Sequence, residues 1–403
     1  MTPLQLRVTT SEGVRHLAPA AWDALVTPDN PTVSHAFLST LEDTACVGAD
    51  SGWQPLILCA WERSALPDTA ERLVGALPLY LKDNSEGEFV FDWSWADAAR
   101  RAGIAYYPKG LVASPFTPAG GPRLLTHRDL PPDQRRGLAA ALAEAAISLA
   151  DQLGLSSMHF NFLHDHDASI LFDDLGLPER HGIQYHWYNS HDHTRGLPPY
   201  ESFDAFLDRF RAKRRANLRR ERKLLAQQGV TTRVIMGSQA DAALMDRMYL
   251  YYKTTVQKFH WGRQYLNRDF FHAIPSAIGD QLHLVLAEQH GEPFAGAFNL
   301  LGGGRLYGRY WGCDREVEFA HFEVCMYSAI EWCIQHNISV FEPGAGGEHK
   351  FERGFEPTIT RSAHHLRDPR MDRAIRAYLV QERAAVADQV AALASQEIFK
   401  PAC

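Results

Sequence analysis

Six cysteines in 403 residues, none of them in a CxxC pair, supply neither a disulfide framework nor a thiolate metal knot. Cys46, Cys59, Cys313, Cys325, Cys333 and Cys403 read as reduced, mostly buried thiols. No run approaches the roughly 20 apolar residues that a membrane span requires. The opening MTPLQLRVTT lacks the basic and apolar regions of a secretory leader. The expectation is a cytoplasmic protein with at most peripheral membrane contact. Excess positive charge is missing too: the net charge is −7, so DNA is not an expected partner and any polyanion site must be local.

Other absences narrow the chemistry. The chain has no GxSxG elbow, no GxxxxGK[ST] loop, no GxGxxG after a strand and no HExxH. Serine hydrolases, P-loop enzymes, dinucleotide folds and zincin-type metalloenzymes therefore lack their signatures. Seven of the nineteen histidines lie between His159 and His193, but without paired ligand spacing they suit loops and strand ends, and no metal is expected. No tightly bound cofactor is expected either.

What is present, 45% hydrophobic and 22% charged residues over this length, predicts two globular domains. QPLILCAWE and RLVGALPLYLK read as a hairpin; LHLVLAE and FAGAFNLL read as a second, followed by a third strand, RLYGRYWG. AISLADQLGLS (146–156) aligns with AIEWCIQHNIS (329–339) at four of eleven positions, each a helix leading into a strand. The repeat predicts a duplicated mixed α/β domain. From Gly75 to Ala146 the first copy spans 71 residues, against 33 from Gly296 to Ala329, so it carries a large insertion. That insertion holds Trp93, Trp95, Tyr106 and Tyr107, which suit either a lipid tail or ordinary core. The breaker cluster GLPPY sets the expected boundary, giving domains 1–196 and 197–403. The strong helix formers after residue 370 predict a closing helix, packed on the body or used in a homodimer.

Four segments carry candidate chemistry. RFRAKRRANLRRERK (209–223) holds nine bases and one acid, and helical spacing puts Arg211, Arg215, Arg219 and Arg222 on one side. Lys213, Arg214, Arg215, Arg219 and Arg222 are the candidate phosphate ligands; a solvated helix face is the competing reading. TTVQKFHWGRQYL contributes Trp261, Arg263 and Tyr265 as a pocket wall, and GRYWGCDREVEFAHFEVC contributes Arg309, Tyr310 and Trp311 at a strand end, then His321 and Glu323. Asn299, on the strand before, completes the substrate-binding candidates. His321 is the candidate general base, since imidazole titrates near the working pH. FEPGAGGEHKFERGF (341–355) puts Gly344, Gly346 and Gly347 at the carboxyl end of a strand, where open α/β sheets bind ligands, followed by Glu348, His349 and Lys350.

Together SPFTPAGGPRLL (114–125), HFNFL (159–163), GIQYHWYN (182–189), KRRANLRRER (213–222), GRYWGC, HFEVC and GAGGEHKFERGF resemble the FemAB-like predicted N-acyltransferases of the GNAT superfamily, labelled peptidoglycan biosynthesis/recognition. The resemblance implies tandem GNAT-like domains, an activated acyl donor such as acyl-CoA or an acyl-carrier-protein thioester, and a small-molecule or lipid amine acceptor. The helical hairpin insertion of true Fem enzymes is not evident, which argues against a tRNA partner. The expected mechanism is direct attack of the amine. His321 removes the proton, with Glu323 or Glu348 orienting it or acting in its place, and His349 is a further catalytic candidate. The acyl carbonyl meets backbone N–H groups near 341–347, and Lys350, Arg309 and Arg263 hold an anionic group. An aminoacyl-tRNA-dependent transferase and a non-catalytic cell-wall or lipid recognition module are the alternatives.

Overall fold

Branched and aromatic runs become strands throughout the chain. The computed structural model describes residues 5–63, 71–258, 263–396 and 398–400. Its strands are β1 (Leu6–Ser11), β2 (Gln54–Pro55), β3 (Ile57–Glu62), β4 (Arg72–Leu77), β5 (Leu79–Lys82), β6 (Lys109–Val112), β7 (Leu125–Thr126), β8 (Ser157–Phe160), β9 (Glu179–Tyr188), β10 (Val230–Met236), β11 (Leu282–Gln289), β12 (Glu292–Gly302), β13 (Arg305–Cys313), β14 (Val340–Glu342) and β15 (Glu356–Leu366).

Two compact units form, one from residues 1–182 and 359–387, the other from 183–358 and 388–403. The expected division at 196/197 is therefore corrected: the chain changes unit inside β9 and returns inside β15. GLPPY is exposed only as far as Pro199, with Tyr200 buried in the second core, and ahead of it Tyr188 and Trp187 already pair within the second unit with Val340 and Phe341.

In the first unit β3 and β4 form the expected antiparallel hairpin. The chain bends at Pro78 so that β5 pairs antiparallel with β6, and after the helix Pro132–Gln152 strand β8 lies parallel to β6. In the second unit β11, β12 and β13 run antiparallel in turn, and after the helix Ser328–Gln335 strand β14 lies parallel to β13. Hairpin, further strand, helix and parallel strand thus occur twice, which is the duplicated α/β fold.

Each copy buries its own core. Leu58, Val74, Leu77, Leu142, Met158 and Phe160 pack in the first, and Trp187, Phe206, Leu306, Tyr327, Ile330 and Phe341 in the second. Burying such side chains stabilises by about 1.5–3 kcal/mol each relative to exposure. The closing helix expected after residue 370 spans Pro369–Ala394. Among the described residues no helix is long and apolar enough to cross a membrane.

Candidate functional site

β13 pairs with β14 only from Arg305 to Tyr307, opposite Val340 to Glu342. Beyond this point β12 is the one strand partner of β13 among the described residues, while the other strand gives way to Pro343 and the glycine loop, so a wedge opens between them. The approach is close where they part: a Cβ on Gly308 would lie 3.0 Å from the Cα of Pro343, so any larger residue would push the backbone there apart. The register against β12 slips between Phe298 and Asn299, paired with Tyr310 and Gly308, leaving Arg309 as the extra residue of a bulge. Bulges re-aim side chains.

One face of β13 is aromatic. Tyr310 packs against Tyr252 at 5.0 Å and Phe298 at 6.0 Å between ring centres. The Arg309 guanidinium sits 5.0 Å from the Tyr310 ring centre and donates to its hydroxyl at 3.2 Å. The Tyr252 hydroxyl accepts the backbone N–H of Tyr265 at 2.8 Å, which ties the segment after the helix Ala242–Lys258 to this face. Arg263 is exposed on that segment, and Trp261 lies outside the described residues. Asn299 does not join them: buried on the other side of the bulge, it donates to His283 Nδ1 at 3.1 Å.

The opposite face carries the titratable groups. The His321 ring lies 4.4 Å from Trp311 and 5.7 Å from His349. Burial, then the neighbouring His349, Lys350, Arg353 and Lys258, push the His321 pKa down to about 4. Its imidazole is therefore neutral at physiological pH, and no described residue hydrogen-bonds its nitrogens. His349 is also shifted downward, chiefly by burial. Its ring fills the space a Cβ on Gly347 would need, at 2.7 Å.

Glu323 does not orient His321. Two residues further on, a helix has turned by roughly 200°, and the Glu323 carboxylate accepts from Arg222 at 2.9 Å and from the Ser328 hydroxyl at 2.9 Å. Glu348 is exposed at the start of the short 3-10 helix Glu348–Arg353.

The glycine loop has three left-handed residues, Gly344, Gly346 and Gly347, with φ of +85°, +70° and +85°. Lys350 is buried beneath it and donates to the carbonyls of Gly344 at 2.7 Å and Ala345 at 3.3 Å. This corrects the expectation that Lys350 holds a substrate anion: its ammonium faces backbone. Arg353, a residue sequence reasoning missed, lies over Phe322 at 3.3 Å and donates to the His349 carbonyl at 3.0 Å and to Glu221 at 2.9 Å. Glu221 also accepts from the Tyr327 hydroxyl. The signal was present, since Glu221 is the single acid in the basic run. Glu342, where the strands part, was missed as well. It is buried, accepts from Arg305 at 2.9 Å and lies 3.8 Å from His186.

The helix Ala212–Gln227 divides its cations differently from the expected ridge. Arg214 pairs with Glu352 at 2.8 Å, Arg215 with Asp208 at 3.0 Å, Arg219 with Asp204 at 2.8 Å, and Arg222 with Glu323 and Glu331 at 2.9 and 2.7 Å. Of the five candidate phosphate ligands only Lys213 lacks a carboxylate partner among the described residues. With Arg220 and Lys223, also exposed and unpaired there, it forms a separate stripe. A cleft of about 620 Å³ opens beside the helix, lined by Phe203, Leu207, Arg219, Arg222, Lys223 and Thr232.

In the histidine-rich region His159 and His364 join Nδ1 to Nδ1 at 2.6 Å, flanked by Ser157 and Ser362, all buried. Among the described residues no three His, Cys, Asp or Glu side chains gather as a metal site.

Solved structures place this architecture. FemX has a TM-score of 0.52 at 12% identity over 92% of this chain and all of that one. A protein of unknown function from Bacteroides thetaiotaomicron scores 0.50 at 11% identity over 89% and 99%. A tandem GNAT protein from the clavulanic acid biosynthesis pathway scores 0.41 at 13% identity over 91% and 99%. No curated protein sequence matches significantly. At such identities the likeness to FemX and the Bacteroides protein is one of fold, the duplicated mixed α/β architecture described above. The family model for peptidoglycan biosynthesis/recognition matches residues 13–401, and the chain belongs to the FemAB-like family.

Proposed function

We propose that the chain is an N-acyltransferase that moves an acyl group from an activated donor, acyl-CoA or an acyl-carrier thioester, to a primary amine. The observation that carries this reading is the wedge between β13 and β14, which has the neutral His321 on one side and the glycine loop on the other. An acyl carbonyl in the wedge meets the backbone N–H groups of the loop. The amine nitrogen attacks the carbonyl carbon, its proton passes to His321, the C–S bond breaks and the thiolate leaves. General-base assistance of this kind contributes typically 10²–10⁴-fold. No covalent acyl-enzyme is needed, and the buried cysteines stay outside the chemistry: burial raises the Cys59 thiol to about 12 and that of Cys325 further still.

Arg309, on the aromatic face with Tyr310, is suited to an anionic or polar group on the acceptor. A long-chain amine giving an N-acyl lipid and a cell-wall amine both fit this description. Membership of the FemAB-like family favours a second reading, transfer of an aminoacyl group from its tRNA ester, through the same attack on a carbonyl.

The test is native mass spectrometry of the purified protein for a retained donor, then incubation of acyl-CoA, acyl-carrier and aminoacyl-tRNA donors with amine panels. Amine-dependent thiol release with amide formation is expected. Aminoacyl transfer alone would establish the second reading, and retention of an amine or cell-wall ligand without turnover on any donor would leave a recognition module.

A further inference from the structure

Lys350 is 6% exposed, yet among the described residues no carboxylate lies within ion-pair range of its ammonium. A buried cation without a counter-anion is costly, and proteins retain one only for a local reason. That reason lies at its Nζ, where both hydrogen bonds go to successive carbonyls of the glycine loop, Gly344 and Ala345. In a planar trans peptide the C=O of one residue and the N–H of the next point in opposite directions. With the carbonyls of Gly344 and Ala345 drawn to the ammonium, the N–H groups of Ala345 and Gly346 point away from it. Neither N–H has a hydrogen-bond acceptor among the described residues.

We propose that Lys350 is a positioning residue whose ammonium braces the loop so that Ala345 and Gly346 present two backbone N–H donors to the carbonyl oxygen that gains negative charge during acyl transfer. This rests on the reading of the wedge as an acyl-transfer site. The lysine itself does not touch substrate. Its two bonds convert a stretch of three left-handed glycines into one fixed conformer, and donors fixed in advance stabilise a developing oxyanion without reorganising.

Lys350→Met keeps an unbranched side chain one atom shorter and removes both bonds; Lys350→Arg keeps donors. Donor and acceptor kinetics are measured for both beside the wild type, together with amide hydrogen exchange at Lys350 and Phe355. Those amides bond the Gly347 and Lys350 carbonyls. For Lys350→Met the expected result is a kcat lower by roughly 100-fold, the size of losing an oxyanion donor. Donor KM should stay within about threefold, and exchange at both amides should be about tenfold faster, which a substrate-binding role would not produce. Lys350→Arg should recover at least about tenfold of the loss. A kcat within about threefold of wild type, a loss confined to KM as a donor-phosphate site would give, or unchanged exchange overturns the proposal. A wild type inactive on every donor would instead refute the acyl-transfer reading, and with it the oxyanion role, while exchange still decides whether Lys350 braces the loop. If Lys350→Met does not fold, Ala345→Pro deletes one N–H outright with the lysine intact. Turnover that survives that change would also overturn the proposal.

Discussion

The two copies share one topology and differ at one place. In each, a strand runs parallel to the strand after the helix, β6 with β8 and β13 with β14. In the second copy no pairing of β13 with β14 continues beyond Tyr307 and Glu342 among the described residues. In the first copy the equivalent space is closed. The Asn161 N–H bonds the Val112 carbonyl at 3.0 Å, Gly121 bridges to Leu163, and the fully buried Arg123 donates to the carbonyls of Ala119 and Asn161. Asp167 accepts the N–H groups of Arg123 and Leu124, locking the segment in place. The insertion that made the first copy longer is therefore a plug, and only the second copy keeps a wedge.

Their buried lysines differ in the same sense. Lys109 in the first copy is held by Glu88 at 2.9 Å and Asp92 at 2.5 Å, and these carboxylates raise its pKa although burial alone would lower it. Lys350 has only carbonyls among the described residues, and burial draws it down to about 8. Lys109→Met should thus have the largest effect on stability, because it leaves two buried carboxylates uncompensated. A loss of about 3–5 kcal/mol in urea-induced unfolding is expected, with kcat of the folded fraction unchanged. Lys350→Met should cost about 1 kcal/mol or less at neutral pH. Equal losses would break the comparison.

His321→Ala comes next, with turnover lower by a factor of about 100 or more and folding retained. Near-normal turnover would remove His321 from the mechanism. Its pH profile sharpens the point. With a pKa of about 4, His321 is already unprotonated well below neutrality, so kcat/KM should rise through pH 4 and show no step at the ordinary imidazole value of 6.5. A step at 6.5 that His321→Ala abolishes would show that the imidazole is more open to water than this packing implies.

Lys350 gives a smaller effect of defined sign. Its folded pKa of about 8 lies below the unfolded 10.5, so between these values the unfolded chain binds the extra proton. Unfolding free energy therefore rises with pH across that window, as the penalty for burying the charge is relieved, by up to about 3 kcal/mol. Unfolding curves at pH 7.5 and 10, compared with those of Lys350→Met, should show the rise in the wild type only.

Much of this was legible in the sequence, because the signals were local. Strand-like runs rich in branched and aromatic residues gave both hairpins and RLYGRYWG, helix formers gave the closing helix, and three glycines marked the loop where β14 ends. What was not legible depended on distant partners. Residues 359–387 return to the first unit through pairing of β15 with β8, which no local pattern encodes. Asn299 faces His283 because the two are direct cross-strand partners on β12 and β11, a register set by pairing of separate strands. Helical spacing grouped Arg215, Arg219 and Arg222 correctly on one side but could not reveal Asp208, Asp204, Glu323 and Glu331 waiting there.

That last result yields the smallest predicted effect. If donor phosphates use this helix, they meet the stripe Lys213, Arg220 and Lys223, since the arginines beside it already have carboxylates. Exposed cations with no described partner carry no fold, so replacing all three by alanine should leave the unfolding midpoint in place. Donor KM should rise about threefold at low salt, and the difference should fade as the Debye length shrinks to about 3 Å near 1 M salt. Arg215→Ala with Arg219→Ala should leave donor KM where it was, because those side chains answer Asp208 and Asp204. The reverse pattern would mean that donor phosphates displace the acids from the paired arginines. Unchanged KM in both variants would return the whole helix to a solvated face and leave the wedge alone to hold the donor.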